Sequence, residues 1–131
     1  MTAIFRWRDG QLAFVKRFDL LPKDYDGPST ACDTVITKDG RFIYFANRDN
    51  DFLYSFKADA KTGSLTPMVR SSCGGKTPRN FVLDPTERWM LVANQDSNQI
   101  SVFARNPETA LLAEKGKSFR AAVPMCILFA S

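Results

Sequence analysis

Four residues stand where they could do chemistry together: Asp33, Lys76, Arg79 and Asn80. A carboxylate can take a proton from water, and a guanidinium or ammonium can hold an anion or stabilise an oxyanion as it forms. Asp33 and Arg79 are the candidate catalytic pair for those two roles, while Lys76 and Asn80 flank Arg79 as further anion contacts. Composition excludes much other chemistry. The 131 residues contain no His, which removes a histidine base, a Ser-His-Asp triad and a His-ligated zinc. Cys32, Cys73 and Cys126 are odd in number, far apart and outside any CxxC, so reduced, mostly buried thiols are expected and no disulfide or metal site.

Three other motifs fail on their own geometry. Gly75-Lys76-Thr77 resembles the end of a phosphate loop, but the first glycine of that pattern would fall on Arg70, and Pro78 leads into a strand where a helix is needed. Asp49-Asn50-Asp51 starts like a calcium loop, yet Tyr54 and Ala60 take the places of its Gly and Glu, leaving a hairpin turn. The polar run Asn94 to Asn98 has a twin in the same turn of the preceding repeat, which favours a structural role.

Charge points to small ligands. Eighteen Lys and Arg against fourteen Asp and Glu give a net +4, spread along the chain without the basic stripe of a nucleic-acid binder. A small anionic ligand is the expected partner, with no nucleic acid and no membrane. The longest apolar stretch, Ala121 to Ala130, is broken by Pro124 and is half the roughly 20 residues a spanning helix needs. Arg6 and Arg8 fall where a signal peptide would be apolar, so a soluble, cytoplasmic protein is expected.

The elements that position these residues repeat. Phe42-Ile-Tyr-Phe-Ala-Asn-Arg-Asp49 aligns with Trp89-Met-Leu-Val-Ala-Asn-Gln-Asp96 at an offset of 89 − 42 = 47, and Val35/Val82, Phe56/Phe103, Thr62/Thr109 and Leu65/Leu112 keep it without a gap. Hydrophobic periodicity inside each unit is that of strands. Phe42 to Ala46 and Trp89 to Ala93 read as central strands buried on both faces; Leu53 to Phe56 and Ile100 to Phe103 alternate as nearer the edge, and Leu65 to Arg70 and Leu111 to Lys115 as outer strands. Four antiparallel strands in about 47 residues is the period of a β-propeller blade. The expectation is an all-β segment of about two and a half to three blades spanning 1–131. Residues 1–22 give the last two strands of a blade, 31–73 and 77–119 two full blades, and 123–131 a lone inner strand. Cys32-Asp33, Arg79-Asn80 and Met125-Cys126 then open the inner strands of successive blades, beside the central channel. A ring needs roughly four to eight blades, so this segment does not close one by itself.

The chain resembles the lactonase family of seven-bladed propellers, the bacterial 6-phosphogluconolactonase type. The resemblance is carried by Ala31-Cys-Asp33 with Ile36-Thr-Lys-Asp-Gly-Arg-Phe-Ile-Tyr44, by Gly75-Lys-Thr-Pro-Arg-Asn-Phe81, by Leu91-Val-Ala-Asn-Gln-Asp-Ser97 and by Val123-Pro-Met-Cys126. It covers the whole chain and corresponds to the C-terminal part of the family fold. It implies metal-independent hydrolysis of a sugar lactone in the pentose phosphate pathway, with no cofactor, Asp33 activating water and Arg79 holding phosphate or oxyanion. The family often has a His two residues after the Asp, where this sequence has Val35. The alternative is a non-catalytic propeller module or a truncated, inactive fragment, which would self-associate through blade faces left bare around Phe42, Tyr44, Trp89 and Leu91. About eleven strands and no helix beyond two turns are expected, so a far-ultraviolet circular dichroism spectrum should show strand and no helical minimum pair.

Overall fold

A computed structural model describes residues 2–114 and 118–130. Among them there is no helix, and eleven strands fall into three sheets. The first is the hairpin β1 (Thr2–Arg8) with β2 (Gln11–Phe18), turned at Asp9-Gly10, where both residues take positive φ. The central sheet runs in the order β3 (Ala31–Ile36), β4 (Phe42–Asn47), β5 (Phe52–Ala58), β6 (Leu65–Ser72), every neighbour antiparallel. The C-terminal sheet repeats it with β7 (Pro78–Leu83), β8 (Trp89–Asn94), β9 (Gln99–Arg105) and β10 (Leu112–Glu114). Such sheets, packed face to face with meander connections, are the blades of a propeller.

The outer edge differs from the sequence pattern. The strand expected over Leu111 to Lys115 spans Leu112–Glu114, with Lys115 outside the described residues, and β11 (Phe119–Arg120) adds a second short ladder farther along the same β9 edge. The inner strand expected over 123–131 is not one: residues 121–130 pair with no strand, and Ser131 lies outside the described residues. A strand exists through its ladder, and none of the described strands offers this segment one. Eleven strands are reached with β11 in place of the tail.

Packing between sheets explains the apolar runs. In β4 alternate side chains point to opposite faces. Phe42, Tyr44 and Ala46 join Leu53, Phe81, Met90, Val92 and Phe103 in a core between the central and C-terminal sheets, while Phe45 packs with Leu20, Tyr54 and Phe56 on the other face. Phe42 and Tyr44 are thus 3% and 0% exposed, contrary to the bare face expected there; Trp89, on the far side of its sheet, is 40% exposed. Leu53 to Phe56 are buried on both faces as well, because β5 is covered by both cores. Each fully buried large apolar side chain contributes about 1.5–3 kcal/mol, against about 1 kcal/mol for a typical hydrogen bond. Packing therefore holds the sheets together, and hydrogen bonds set how they are aligned.

One buried cation crosses that core. Arg105, 5% exposed, donates from Nε to the Tyr44 hydroxyl (2.8 Å) and from Nη1 to the Glu87 carbonyl (3.0 Å), and the Tyr44 hydroxyl donates to the Ala110 carbonyl (3.0 Å). Burial pushes the Tyr44 phenol above its ordinary value despite the neighbouring guanidinium, so it serves as a neutral donor and acceptor. Tyr44→Phe keeps the ring and removes the acceptor of Arg105 Nε. Urea denaturation should show it less stable by about 1–3 kcal/mol, and an unchanged midpoint would show that the hydroxyl contributes nothing.

Candidate functional site

The candidate residues collect at one end of the two sheets, where β3 and β7 begin and β4 and β8 end. The chain reaches this rim from the outer strand β6 through Cys73-Gly74-Gly75-Lys76-Thr77. That loop is bolted down: Asn94 Nδ2 donates to the Cys73 carbonyl (2.9 Å), and Gln99 Nε2 and Ser101 Oγ both donate to the Gly74 carbonyl. A Cβ on Gly74 would lie 2.7 Å from Ser101 Oγ, and one on Gly75 would lie 2.7 Å from Asn94, so glycine is what lets the loop lie against β8 and β9. It leads into a strand, as the sequence indicates.

Asp33 and Asn80 meet directly. Asn80 Nδ2 donates to Asp33 Oδ2 (2.7 Å), the Phe81 amide donates to the same oxygen (3.3 Å), and the Thr34 amide donates to Oδ1 (2.8 Å). Oδ2 thus ties the central sheet to the C-terminal one, while Oδ1 is held by the next amide of its own strand. Asn80 is used at both ends, since its Oδ1 accepts the Ile127 amide (2.7 Å). The tail is thereby docked onto the C-terminal sheet by the contact that joins the C-terminal sheet to the central one. Lys76 is apart from this cluster: its backbone is held by Ser97 Oγ (3.0 Å) and its side chain is exposed.

Two arginines share the remainder of the rim with the carboxylates of its turns, Asp51 and Asp96. Arg79 is half-buried, and so is Arg48, which follows β4 and which the sequence pattern did not single out. Arg48 Nε is buried with no hydrogen-bond partner, and no ion pair among the described residues involves either arginine. Its only sequence signal was departure from the repeat, because the equivalent position of the next blade holds Gln95. Both guanidinium groups act on Cys32, whose thiol donates to the Pro78 carbonyl (2.8 Å). Burial and then the charge of Asp33 nevertheless push that thiol up to about 11, against the pull of Arg48 and Arg79. Burial likewise pushes Cys73 up to about 11. Cys73 lies wholly inside the core between the sheets, with Cys32 packed against it, whereas Cys126 is exposed. All three thiols are free, and among the described residues no group of three His, Cys, Asp or Glu is placed to hold a metal.

The fold and rim define a β-propeller segment that presents Arg79 on an inner strand and Arg48 on the neighbouring β4–β5 turn, beside a tied carboxylate and amide. The chain matches the family model described as lactonase, 7-bladed beta-propeller, over residues 2–129, and it belongs to that family. It is 31% identical over 120 residues to a 6-phosphogluconolactonase of Bacillus subtilis, covering 92% of this chain and 34% of that protein. A 6-phosphogluconolactonase of Formosa agariphila is 36% identical over 106 residues, covering 79% of this chain and 30% of the relative. Among solved structures, the periplasmic gluconolactonase PpgL of Pseudomonas aeruginosa superposes with a TM-score of 0.90 at 33% identity, covering 98% of this chain and 36% of that one. The chain spans about a third of the length of these curated relatives. Among the described residues no helix is long and apolar enough to cross a membrane.

The raised thiols fix a pH dependence. A group whose folded pKa lies above its unfolded value stabilises the fold below the unfolded value and loses that contribution as pH rises through the folded one. With an ordinary thiol at 9.0 and Cys32 and Cys73 near 11, stability should fall between pH 9 and 11. Urea midpoints across that range check this, and the decline should lessen in Cys73→Ala. At pH 8, iodoacetamide should modify exposed Cys126 first, as read by peptide mass mapping, and all three only after denaturation.

Proposed function

We propose that the chain supplies part of the channel wall of a sugar-lactone hydrolase, with 6-phosphogluconolactone or a related phosphorylated lactone as substrate and no metal or cofactor. The observation that carries this is Arg48, a half-buried guanidinium whose buried Nε has no partner, on the same rim as unpaired Arg79. Leaving a buried polar group unsatisfied costs about 1–3 kcal/mol, and an anionic ligand held on the part-exposed remainder of the Arg48 side chain would offset that cost. The names of the Bacillus, Formosa and Pseudomonas relatives support a lactone as that ligand.

Lactone hydrolysis adds water to the ester carbonyl, passes through an oxyanion, and breaks the ring C–O bond to leave an alcohol and a carboxylate. In this reading Arg79 and Arg48 hold the phosphate or the developing oxyanion, where preorganised positive charge contributes most. Lys76, exposed on the approach, adds long-range attraction. Asp33 and Asn80 are assigned a supporting role, fixing the openings of β3 and β7 through their mutual hydrogen bond. The step would belong to the pentose phosphate pathway, in the cytoplasm, where the free thiols Cys32 and Cys73 suit a reducing compartment. Phe5, Trp7, Leu12 and Phe14 form an exposed apolar patch on the β1–β2 hairpin, and self-association of the chain through it is expected, with sedimentation as the check.

Calorimetry with 6-phosphogluconate, the hydrolysis product, tests the ligand. Arg48→Ala and Arg79→Ala should each weaken its binding about tenfold, the scale of one charge-assisted hydrogen bond, and gluconate without phosphate should bind more weakly to the unchanged chain. Equal affinity in the unchanged chain and both variants would overturn the assignment.

A further inference from the structure

Two residues before Arg79, the backbone is strained. Thr77 has φ +58°, a left-handed conformation that is an outlier for a β-branched residue and persists only where its surroundings hold it. Three contacts hold it. Its amide donates to Asp51 Oδ1 (2.6 Å) from the preceding sheet, its carbonyl accepts the Gln95 amide (3.0 Å), and its hydroxyl donates to Asp96 Oδ2 (2.6 Å). Of these, only the first crosses between sheets. Asp51 is itself at φ +59° and also accepts the Cys73 amide on its backbone carbonyl (2.9 Å), so one turn residue grips both ends of the loop that carries Lys76.

The same grip recurs one repeat later. Position 51 + 47 = 98 is Asn98, at φ +52°, which accepts the Val123 amide on Oδ1 (2.9 Å) and the Ala121 amide on its carbonyl (3.0 Å). Val123 is again β-branched and again left-handed, at φ +45°. An amide oxygen does there what a carboxylate does at Asp51, so the device needs an acceptor and no negative charge. What differs is the cargo, because two residues beyond Val123 stands Met125, and two beyond Thr77 stands Arg79. Asp51 also sits three residues after Arg48 in the same β4–β5 turn.

We propose that Asp51 is a positioning residue for ligand binding: the β4–β5 turn presents Arg48 directly and, through the Asp51–Thr77 hydrogen bond, fixes where Arg79 stands relative to it. The turn thus couples two cations from neighbouring blades into one anion site. This rests on the assignment of Arg79 to ligand binding.

Calorimetry of the chain with 6-phosphogluconate, at one fixed salt concentration, tests it with Asp51→Ala, Asp51→Asn, Arg79→Ala and the Asp51→Ala/Arg79→Ala double variant. Asp51→Ala should weaken binding about tenfold, and Asp51→Asn should stay within about twofold, since Asn98 shows that an amide suffices. The double variant should bind no more weakly than Arg79→Ala, because residues acting through one another are not additive. Wild-type affinity in Asp51→Ala beside a weakened Arg79→Ala would overturn the proposal and leave the arginine assignment standing; additive losses, or Asp51→Asn as weak as Asp51→Ala, would also overturn it. Wild-type affinity in Arg79→Ala, or no binding by the unchanged chain, overturns the arginine assignment and this proposal with it. Should Asp51→Ala not fold, amide hydrogen exchange in Asp51→Asn decides: a protected Thr77 amide with retained affinity supports the coupling, and an unprotected one with retained affinity overturns it.

Discussion

A single antiparallel sheet buries its apolar residues only when a second sheet covers them, and everything in this molecule depends on that contact being made between consecutive repeats. Tyr44 and Leu53 of the central sheet and Phe81, Met90 and Val92 of the C-terminal sheet have essentially no exposure because each sheet is the other's solvent shield. This constraint explains why β4 reads as a continuous apolar run. Its two sets of alternate side chains enter different cores, one shared with the following blade and one with the Leu20 segment.

Alignment of the sheets is set by polar contacts that are few and repeated. Asp33 accepts from Asn80 and Phe81, and Asn80 accepts from Ile127; Asp51 accepts from Thr77, and Asn98 from Val123. In these contacts a short acidic or amide side chain of one repeat accepts a backbone amide of the segment that follows, at Phe81, Ile127, Thr77 and Val123, and Asp33 also accepts the Asn80 side-chain amide. Backbone donors at a strand opening lack ladder partners, and burial makes an unpaired one costly. The same economy places Arg48 and Arg79 on one rim, since the turn that ends β4 and the loop that begins β7 are the segments these contacts join.

How much of the site was legible follows from which contacts are local. Asp33, Arg79 and Asn80 could be picked out because they occupy the same place in successive repeats. That Asn80 spends both ends of its amide on neighbours, and that Asp33 is tied rather than free, depends on distances across the sheet junction. Arg48 carries no such mark, since one arginine in a turn is ordinarily solvated, and its unpartnered Nε is visible only once burial is known.

By itself the sequence determined the repeat of 47 residues, the strand-rich blade within it, the turns at Gly10, Gly40 and Gly63, and membership of a propeller family. Those features rest on side-chain periodicity and local backbone preference, which act between residues close in the chain. Tertiary structure alone decided that Phe42 and Tyr44 are covered, that Leu53 to Phe56 are buried on both faces, and that the β9 edge carries two short ladders. It also decided that residues 121–130 dock without becoming a strand. An apolar residue looks the same to a sequence pattern whether a second sheet lies over it or not, and a segment with strand composition becomes a strand only when another strand's backbone is there to receive its hydrogen bonds.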